Sequence, residues 1–203
     1  MFARHTYVTV DPRRIDDAIT AAQKNGREML REQPGYSGMA VFVDRDLGKL
    51  LVVSAWESEQ ACRDSDQALR EQRATLFAPF AATISADIYE IASVHRLRDV
   101  GEGAAMRRHV LEHEAADADR LIEAFNSRAA DRESVPGFCR ATAFVDRGRG
   151  RSTIGLIYAD REALIASRSA NAQVRAEVSR QIEGLNTRSM EEFEVVMTEN
   201  LPT

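Results

Sequence analysis

The sequence predicts an α+β fold in which two ferredoxin-like βαββαβ repeats pack sheet-to-sheet as an intramolecular barrel. Three observations predict this fold: an internal repeat, the same order of strand and helix patterns in both copies, and strands that are apolar at successive positions. A chain of 203 residues is long enough for two domains of about 100 residues each.

The internal repeat begins at Pro34-Gly35-Tyr36, which returns 102 residues later as Pro136-Gly137-Phe138. Six of the twelve positions from Pro34 to Arg45 are identical to their partners, and the register continues to Ser65 and Ser167. Self-similarity of this kind indicates that one structural unit was duplicated. We expect a first repeat at 1–95, a charged, Gly-containing linker at 96–104 and a second repeat at 105–203.

The first copy reads as β-α-β-β-α-β. A run of β-branched and aromatic residues at 2–10 predicts a strand, and Asp11-Pro12 predicts the start of a helix that ends before Pro34. Strands at 39–43 and 50–56 follow, joined by a polar loop with Gly48 near its end. Ser58 predicts the cap of a second helix that ends near residue 77, and the pattern at 86–94 predicts the last strand.

The second copy repeats this order. It has a predicted strand at 106–111, a helix at 116–132 and strands at 139–145 and 152–158. Asp160 predicts the cap of a long helix that includes Ile182, and a strand at 190–197 closes the copy. Both copies are therefore predicted to form a split β-α-β unit.

The strands predict that both faces of each sheet are covered. The segments 39–43 and 50–53 are apolar at successive positions, whereas a sheet face in water alternates apolar and polar residues. Exposing about ten apolar side chains per copy would cost on the order of 20 kcal/mol, which exceeds the net stability of a domain. We expect the other copy to supply the cover.

Composition excludes several functional classes. The chain has 27 basic and 32 acidic residues, a net charge of −5 with both signs mixed, and this pattern argues against nucleic acid as a partner. The first residues lack the pattern of a leader and no apolar run is long enough to span a bilayer, so we expect a cytoplasmic protein without a membrane partner. Cys62 and Cys139 are expected to be small buried hydrophobes.

The Pro-Gly-aromatic lead into the second strand resembles the dimeric α+β barrel superfamily, in particular the antibiotic biosynthesis monooxygenase (ABM) type. A third strand that ends in Trp56, followed by acidic and helix-starting residues, carries the same resemblance. The resemblance covers nearly the whole chain as a tandem fusion, an internal pseudo-dimer whose further association stays open. It implies a pocket between helices and sheet in which relatives oxidise electron-rich aromatic compounds with O₂ and no cofactor; haem-degrading relatives use Asn, Trp and His.

The resemblance also implies site residues. Trp56 matches the family tryptophan of the third strand, and Tyr158 takes its place in the second copy. The Asn that some members carry four residues earlier is Val52 here and Ile154 in the second copy. The early second helix, at 62–67, has no axial His for haem. We therefore expect no cofactor and no metal.

Two further residues are candidates from the strand pattern. His5 and Tyr7 share one face of the first strand and can converge as a proton-transfer pair. The predicted substrate contacts are Trp56, His5, Tyr7, Ser54 and Tyr158, and the catalytic residues stay open. Each has a structural interpretation as well, since Trp56 can anchor strand to helix and a strand His is commonly hydrogen-bonded or partly exposed.

The segment His109-Val110-Leu111-Glu112-His113 matches the H-x-x-E-H pattern of inverzincin metalloproteases. That pattern binds zinc from a helix, which places both histidines on one face. The repeat instead places 107–111 on a strand, and no third ligand is evident, so we do not expect a zinc site.

These observations leave alternative functions open. One is a cofactor-independent monooxygenase-like protein acting on a small aromatic or polyketide-like molecule, and the other is a non-catalytic small-molecule-binding or scaffolding barrel. A haem-binding or haem-degrading relative is a further alternative. A cavity of about 300 Å³ or more beside Trp56 would favour a ligand, whereas filled interiors in both copies would exclude the monooxygenase hypothesis.

Overall fold

The computed structural model describes residues 1–80 and 82–202, so Ala81 and Thr203 of the two predicted repeats lie outside the described residues. The strands are β1 (Phe2–Thr9), β2 (Tyr36–Asp44), β3 (Lys49–Trp56), β4 (Thr83–Arg96), β5 (Ala105–Glu112), β6 (Phe138–Asp146), β7 (Arg151–Tyr158) and β8 (Asn186–Glu199). The α-helices are α1 (Ile15–Ala21), α2 (Arg27–Arg31), α3 (Glu59–Ala68), α4 (Arg70–Phe77), α5 (Ala118–Asn126), α6 (Ala129–Glu133), α7 (Arg161–Ala166) and α8 (Arg168–Gln181). This order confirms the predicted fold class, an α+β chain with two βαββαβ copies.

In the first copy the strands pair in the antiparallel order β4-β1-β3-β2. In the second copy they pair in the antiparallel order β8-β5-β7-β6, and each copy is a split β-α-β arrangement. His109 lies on β5, opposite Ile154 of β7, as the repeat predicted.

The chain divides into two compact units. The first unit comprises Met1–Glu90 and Val195–Pro202, and the second comprises Ile91–Glu194. The long strands β4 and β8 therefore contribute residues to both units. The sequence-based boundaries at 1–95, 96–104 and 105–203 stay a prediction.

Three predicted helix caps are present. The side chain of Asp11 accepts a hydrogen bond from the Arg13 amide, Ser58 Oγ accepts one from Ala61 at 3.1 Å, and Asp160 Oδ1 accepts one from Ala163 at 2.7 Å. Each cap satisfies an amide that the first helical turn leaves without a partner. The three helices therefore begin at the cap residues that the sequence predicted.

The core of the first unit lies between its helices and one face of its strands, and includes Ile15, Ile19, Val41, Trp56 and Phe77. Along β2, all five residues from Met39 to Val43 are buried. Both faces of that strand are therefore covered, as the unbroken apolar run predicted. In the second unit, Phe125, Phe138 and Leu164 belong to the equivalent apolar cluster.

Among residues 1–80 and 82–202, no helix combines the length and the apolar character that crossing a bilayer requires.

Candidate functional site

Two buried arginines occupy equivalent positions in the two units and show which residues of the first unit correspond to which residues of the second. Arg4 of β1 lies opposite Ser54, and Arg107 of β5 lies opposite Leu156, which follows Ser54 by 102 residues. Arg4 Nη1 donates to Ser65 Oγ at 2.9 Å, and Arg107 Nη1 donates to Ser167 Oγ at 3.0 Å. Both repeats thus hold an arginine against a serine of the following helix. By the same register, Thr6 in the first unit corresponds to His109 in the second.

In the first unit, the space between helices and sheet is nearly filled. The cavity there measures about 40 Å³, and its walls include Met29, Met39, Leu76 and Phe77. Small-molecule sites have volumes of about 300 to 1,000 Å³, so this space is too small for a metabolite.

In the second unit, the corresponding space is open. A cavity of about 300 Å³ lies between β5, β7 and the helices α5, α6 and α8. Its volume lies at the lower end of the range for small-molecule sites. Its apolar wall is formed by Leu111, Leu121, Ala124, Phe125, Val135, Ile154, Leu156, Val174, Val178 and Leu185.

Two exchanges of a large residue for a small one accompany the difference in volume, and Ser179 is the one that lines the larger cavity. Phe77 and Met39, which fill the first unit, correspond to Ser179 and Ala141, 102 residues later. Protein interiors are close-packed, so replacing large side chains with small ones leaves a cavity unless the surroundings collapse.

His109 brings a titratable group to the cavity wall. It is only 5% exposed, it lines the cavity, and within the described residues its Nε2 has no hydrogen-bond partner. Burial, followed by the charges of Arg175 and Arg107, lowers the pKa of His109 to about 4. The imidazole is therefore neutral near pH 7, and an unpartnered buried nitrogen of this kind can accept a proton or a hydrogen bond from a ligand.

Tyr158 and Asn171 place two more polar groups at the cavity. Both line it, and Asn171 Nδ2 donates to Tyr158 Oη at 2.9 Å. The Tyr158 ring meets Phe138 edge-on at 6.1 Å between ring centroids, which fixes its orientation. The Asn171 contact occupies one lone pair of the hydroxyl and leaves its proton free to be donated.

Three arginines also line the cavity. Arg128 Nη1 lies 2.8 Å from Glu177 Oε2. Arg132 Nη1 donates to the Phe125 carbonyl at 2.8 Å, and its guanidinium lies 4.1 Å from the Phe125 ring centroid, a cation–π contact. Burial lowers the pKa of Arg132 to about 10, which leaves it charged at neutral pH. Burial also lowers the pKa of Arg175.

The structure does not bring the five sequence-predicted contacts together. Ser54 lines the small cavity of the first unit, and Trp56 donates its indole N–H to Ser54 Oγ at 3.0 Å. His5 and Tyr7 alternate along β1 with Arg4 and Thr6, which line that cavity, so they point to the other face of the sheet. His5 is buried with its ring 4.8 Å from that of Tyr89. Tyr158 alone of the five lines the larger cavity.

Trp56 is fully buried in the first unit. Its ring contacts Tyr36 edge-on at 5.8 Å, and the Arg4 guanidinium lies 5.3 Å from its centroid. These contacts show that Trp56 packs in the core of the first unit, which is the structural interpretation that the sequence allowed. A role of Trp56 in substrate binding stays a prediction.

Sequence reasoning missed His109 as a pocket residue and did not consider Asn171, Arg128, Arg132 or Arg175. The signal was present in the repeat. At buried positions where the first copy has Leu30 and Leu69, the second has Arg132 and Asn171. When a buried apolar residue of one copy is polar in the other, the copy with the polar residue is the candidate for a ligand site.

His113, the second histidine of the H-x-x-E-H segment, has a hydrogen-bond partner at each ring nitrogen. His113 follows β5, and its Nε2 lies 2.8 Å from Ser152 Oγ while its Nδ1 lies 2.8 Å from the Glu114 carbonyl oxygen. Among residues 1–80 and 82–202, no group of three or more His, Cys, Asp or Glu side chains is arranged to hold a metal ion.

Residues 1–73 match the family model of antibiotic biosynthesis monooxygenase (ABM). The match lies within the predicted first repeat. Over nearly the whole chain, the sequence is 28% identical to the uncharacterized protein Rv2557 and 27% identical to the uncharacterized protein Rv2558, both of Mycobacterium tuberculosis. The alignments cover 91% and 97% of this chain and 83% and 84% of those proteins.

Solved structures share the fold of the whole chain. An anthrone oxidase-like protein matches with a TM-score of 0.72 at 16% identity, covering 97% of this chain and 92% of that one. LmHde, a heme-degrading enzyme from Listeria monocytogenes, matches with a TM-score of 0.55 at 5% identity, covering 95% of this chain and 98% of that one. At these identities the likeness shows a shared fold alone.

Proposed function

We propose that the second unit binds a small aromatic molecule in its cavity and oxidises it with O₂ without a cofactor. The observation that carries the proposal is the cavity of about 300 Å³, whose wall is largely apolar and includes His109, a buried histidine whose Nε2 has no hydrogen-bond partner within the described residues. An apolar cavity with a few convergent polar groups and a residue of perturbed pKa is the arrangement expected of a ligand site.

In this proposal His109 acts as the base. Neutral at pH 7, it accepts a proton from an activated C–H or O–H of the substrate and leaves an electron-rich carbanion or phenolate. A base with a pKa near 4 is weak, but a substrate anion beside the imidazolium raises that pKa because opposite charges stabilise each other. The Tyr158 hydroxyl, oriented by Asn171, donates a hydrogen bond to the substrate oxygen.

The reaction balances without a further reactant. For an anthrone-type substrate, the methylene carbon loses two hydrogens and gains one oxygen atom of O₂, forming a carbonyl. The second oxygen atom leaves with the two hydrogens as water. The electrons that reduce O₂ come from the deprotonated substrate, so the residues of the cavity bind, deprotonate and exclude bulk water.

The test is oxygen consumption with anthrone as the probe, since an anthrone oxidase-like protein shares the fold. We expect wild-type protein to consume one O₂ per anthraquinone formed, and His109→Gln to lower kcat about 100-fold or more. Arg73→Gln, which alters an ion pair of the first unit, serves as the control with unchanged activity. Retained activity in His109→Gln together with its loss in His5→Gln would contradict the proposal and support the residues predicted from sequence.

A non-catalytic binding protein is the second candidate. The observation that favours it is Ile154, an apolar residue that lines the cavity at a position where the family resemblance implies an Asn in some members. Binding of aromatic compounds without oxygen consumption would support this candidate. A Soret shift on titration with haem that His109→Gln abolishes would instead support the haem-binding alternative.

A further inference from the structure

The charges that line the cavity of the second unit are not balanced. Its two acids are both engaged by one arginine: Arg128 Nη1 lies 2.8 Å from Glu177 Oε2 and 3.7 Å from Asp131 Oδ2. Arg175 lines the cavity, is half-buried, and has no hydrogen bond or ion pair within residues 1–80 and 82–202. The wall therefore carries two guanidinium groups, those of Arg132 and Arg175, that form no ion pair with a carboxylate of the described residues; Arg132 donates to the Phe125 carbonyl and to His95, whereas Arg175 makes no such contact.

The first repeat shows the same arginine in a structural role. Arg73 precedes Arg175 by 102 residues and lines the small cavity, where its Nη2 lies 2.8 Å from Asp66 Oδ1. The position of Asp66 is Arg168 in the second repeat, and Arg168 pairs with Glu192 at 2.6 Å. Exchange of an acid for an arginine has thus removed the partner that holds this guanidinium in the first unit.

A half-buried guanidinium without an anion is unfavourable, and a bound anion relieves that cost. A carboxylate can accept two parallel hydrogen bonds from one guanidinium, and bonds to charged groups are about twice as strong as neutral ones. Arg175 and His109 both line this cavity, so one ligand can contact both side chains. The remaining wall is largely apolar and suits an aromatic ring.

We infer that the cavity takes an aromatic carboxylate, whose ring lies against the apolar wall and whose carboxylate binds Arg175. The inference rests on the proposed ligand site and narrows its substrate class from aromatic compounds to aromatic anions. Arg175 is a specificity-determining residue in this assignment, and His109 faces the phenol or activated C–H of the same molecule.

The test is isothermal titration calorimetry of the full chain with 1-hydroxy-2-naphthoate and 1-naphthol, which differ by the carboxylate. We expect the naphthoate to bind about 10-fold more tightly or better. Arg175→Gln should weaken naphthoate binding about 10- to 100-fold and change naphthol binding less than about 3-fold. Arg175→Lys, which keeps the charge without the planar fork, should restore part of the affinity.

Arg73→Gln is the matched control, because it removes the equivalent arginine of the first repeat and should leave both affinities unchanged. Thermal melts of each variant report whether the fold is intact. Equal affinity for the two compounds, equal losses in the Arg175 and Arg73 variants, or no binding of either compound at millimolar concentration would each overturn the inference. Arg175-dependent naphthoate binding by a protein that consumes no oxygen with anthrone would refute the oxygenase proposal and leave the aromatic-anion inference standing.

Discussion

The pair Thr6 and His109 illustrates how one position can change the chemistry of a repeat. Both side chains project from equivalent strands toward the helices, and both are buried. Threonine is uncharged at any accessible pH, whereas histidine can bind a proton. The exchange therefore gives the second unit a titratable group in the place where the first unit has none.

The lowered pKa of His109 predicts a pH dependence of stability. In the folded protein the pKa is about 4 and in the unfolded chain it is near the ordinary 6.5, so between these values the unfolded state binds more protons. The free energy of unfolding therefore falls as pH decreases through this window, by about 2 to 3 kcal/mol from this residue. Urea denaturation at pH 7 and pH 4.5 measures the fall.

His109→Thr, which installs the residue of the first repeat, is the matched variant. It should remove this part of the pH dependence, while the acidic residues common to both proteins titrate alike. A wild-type loss between pH 7 and 4.5 equal to that of His109→Thr would show that His109 is not held neutral by the fold.

Individual side chains were the least predictable level of the structure. The pairing of His5 with Tyr7 on one strand face followed from the strand period, but that face points away from the small cavity of the first unit. Trp56 followed from the family resemblance, yet it is fully packed. Which buried face holds open space depends on the volumes of facing residues from distant segments, and local periodicity does not contain this information.

At the scale of elements, strands, caps and hairpin positions were predictable because they depend on local chemistry. The points at which the helices are interrupted were not predictable from the sequence. The helix predicted after Asp160 divides into α7 and α8 because the Leu164 carbonyl accepts hydrogen bonds from Arg107 Nη2 and Ser167 Oγ, both at 2.7 Å. A residue of β5 takes part in this contact, so the break is set by tertiary structure.

The hairpin between β6 and β7 predicts a sharp difference between its two glycines. Gly150 has φ +59°, and a Cβ there would clash with the His113 carbonyl oxygen, whereas a Cβ at Gly148 would meet only Asp146 Oδ1 at 3.6 Å. Gly150→Ala should lower the free energy of unfolding by about 1 to 3 kcal/mol or more, from backbone strain and the clash. Gly148→Ala should stay within about 0.5 kcal/mol of wild type. Equal urea midpoints for the two variants would contradict this description of the turn.

At the scale of the whole molecule, the chain is a duplication whose halves have diverged in their interiors. The first unit keeps large apolar residues between helices and sheet, and the second has exchanged several of them for small or polar ones. The fold class was predictable because six identities in twelve positions, repeated strand order and unbroken apolar strands all point to the same architecture. The location of the open cavity was not predictable, because it results from a few residue differences between two copies of the same fold.

If the cavity of the second unit is the ligand site, filling it should block binding, and a cavity-filling variant tests this most directly. Ala124 of α5 lines the cavity, so Ala124→Phe should occupy the space of a ligand, whereas Ala130→Phe on the exposed side of α6 should not. The measurement is the Kd of 1-hydroxy-2-naphthoate by calorimetry for both variants and wild type. We predict at least a roughly 10-fold weaker Kd for Ala124→Phe and no change for Ala130→Phe. Wild-type affinity in a folded Ala124→Phe protein would show that the ligand binds elsewhere.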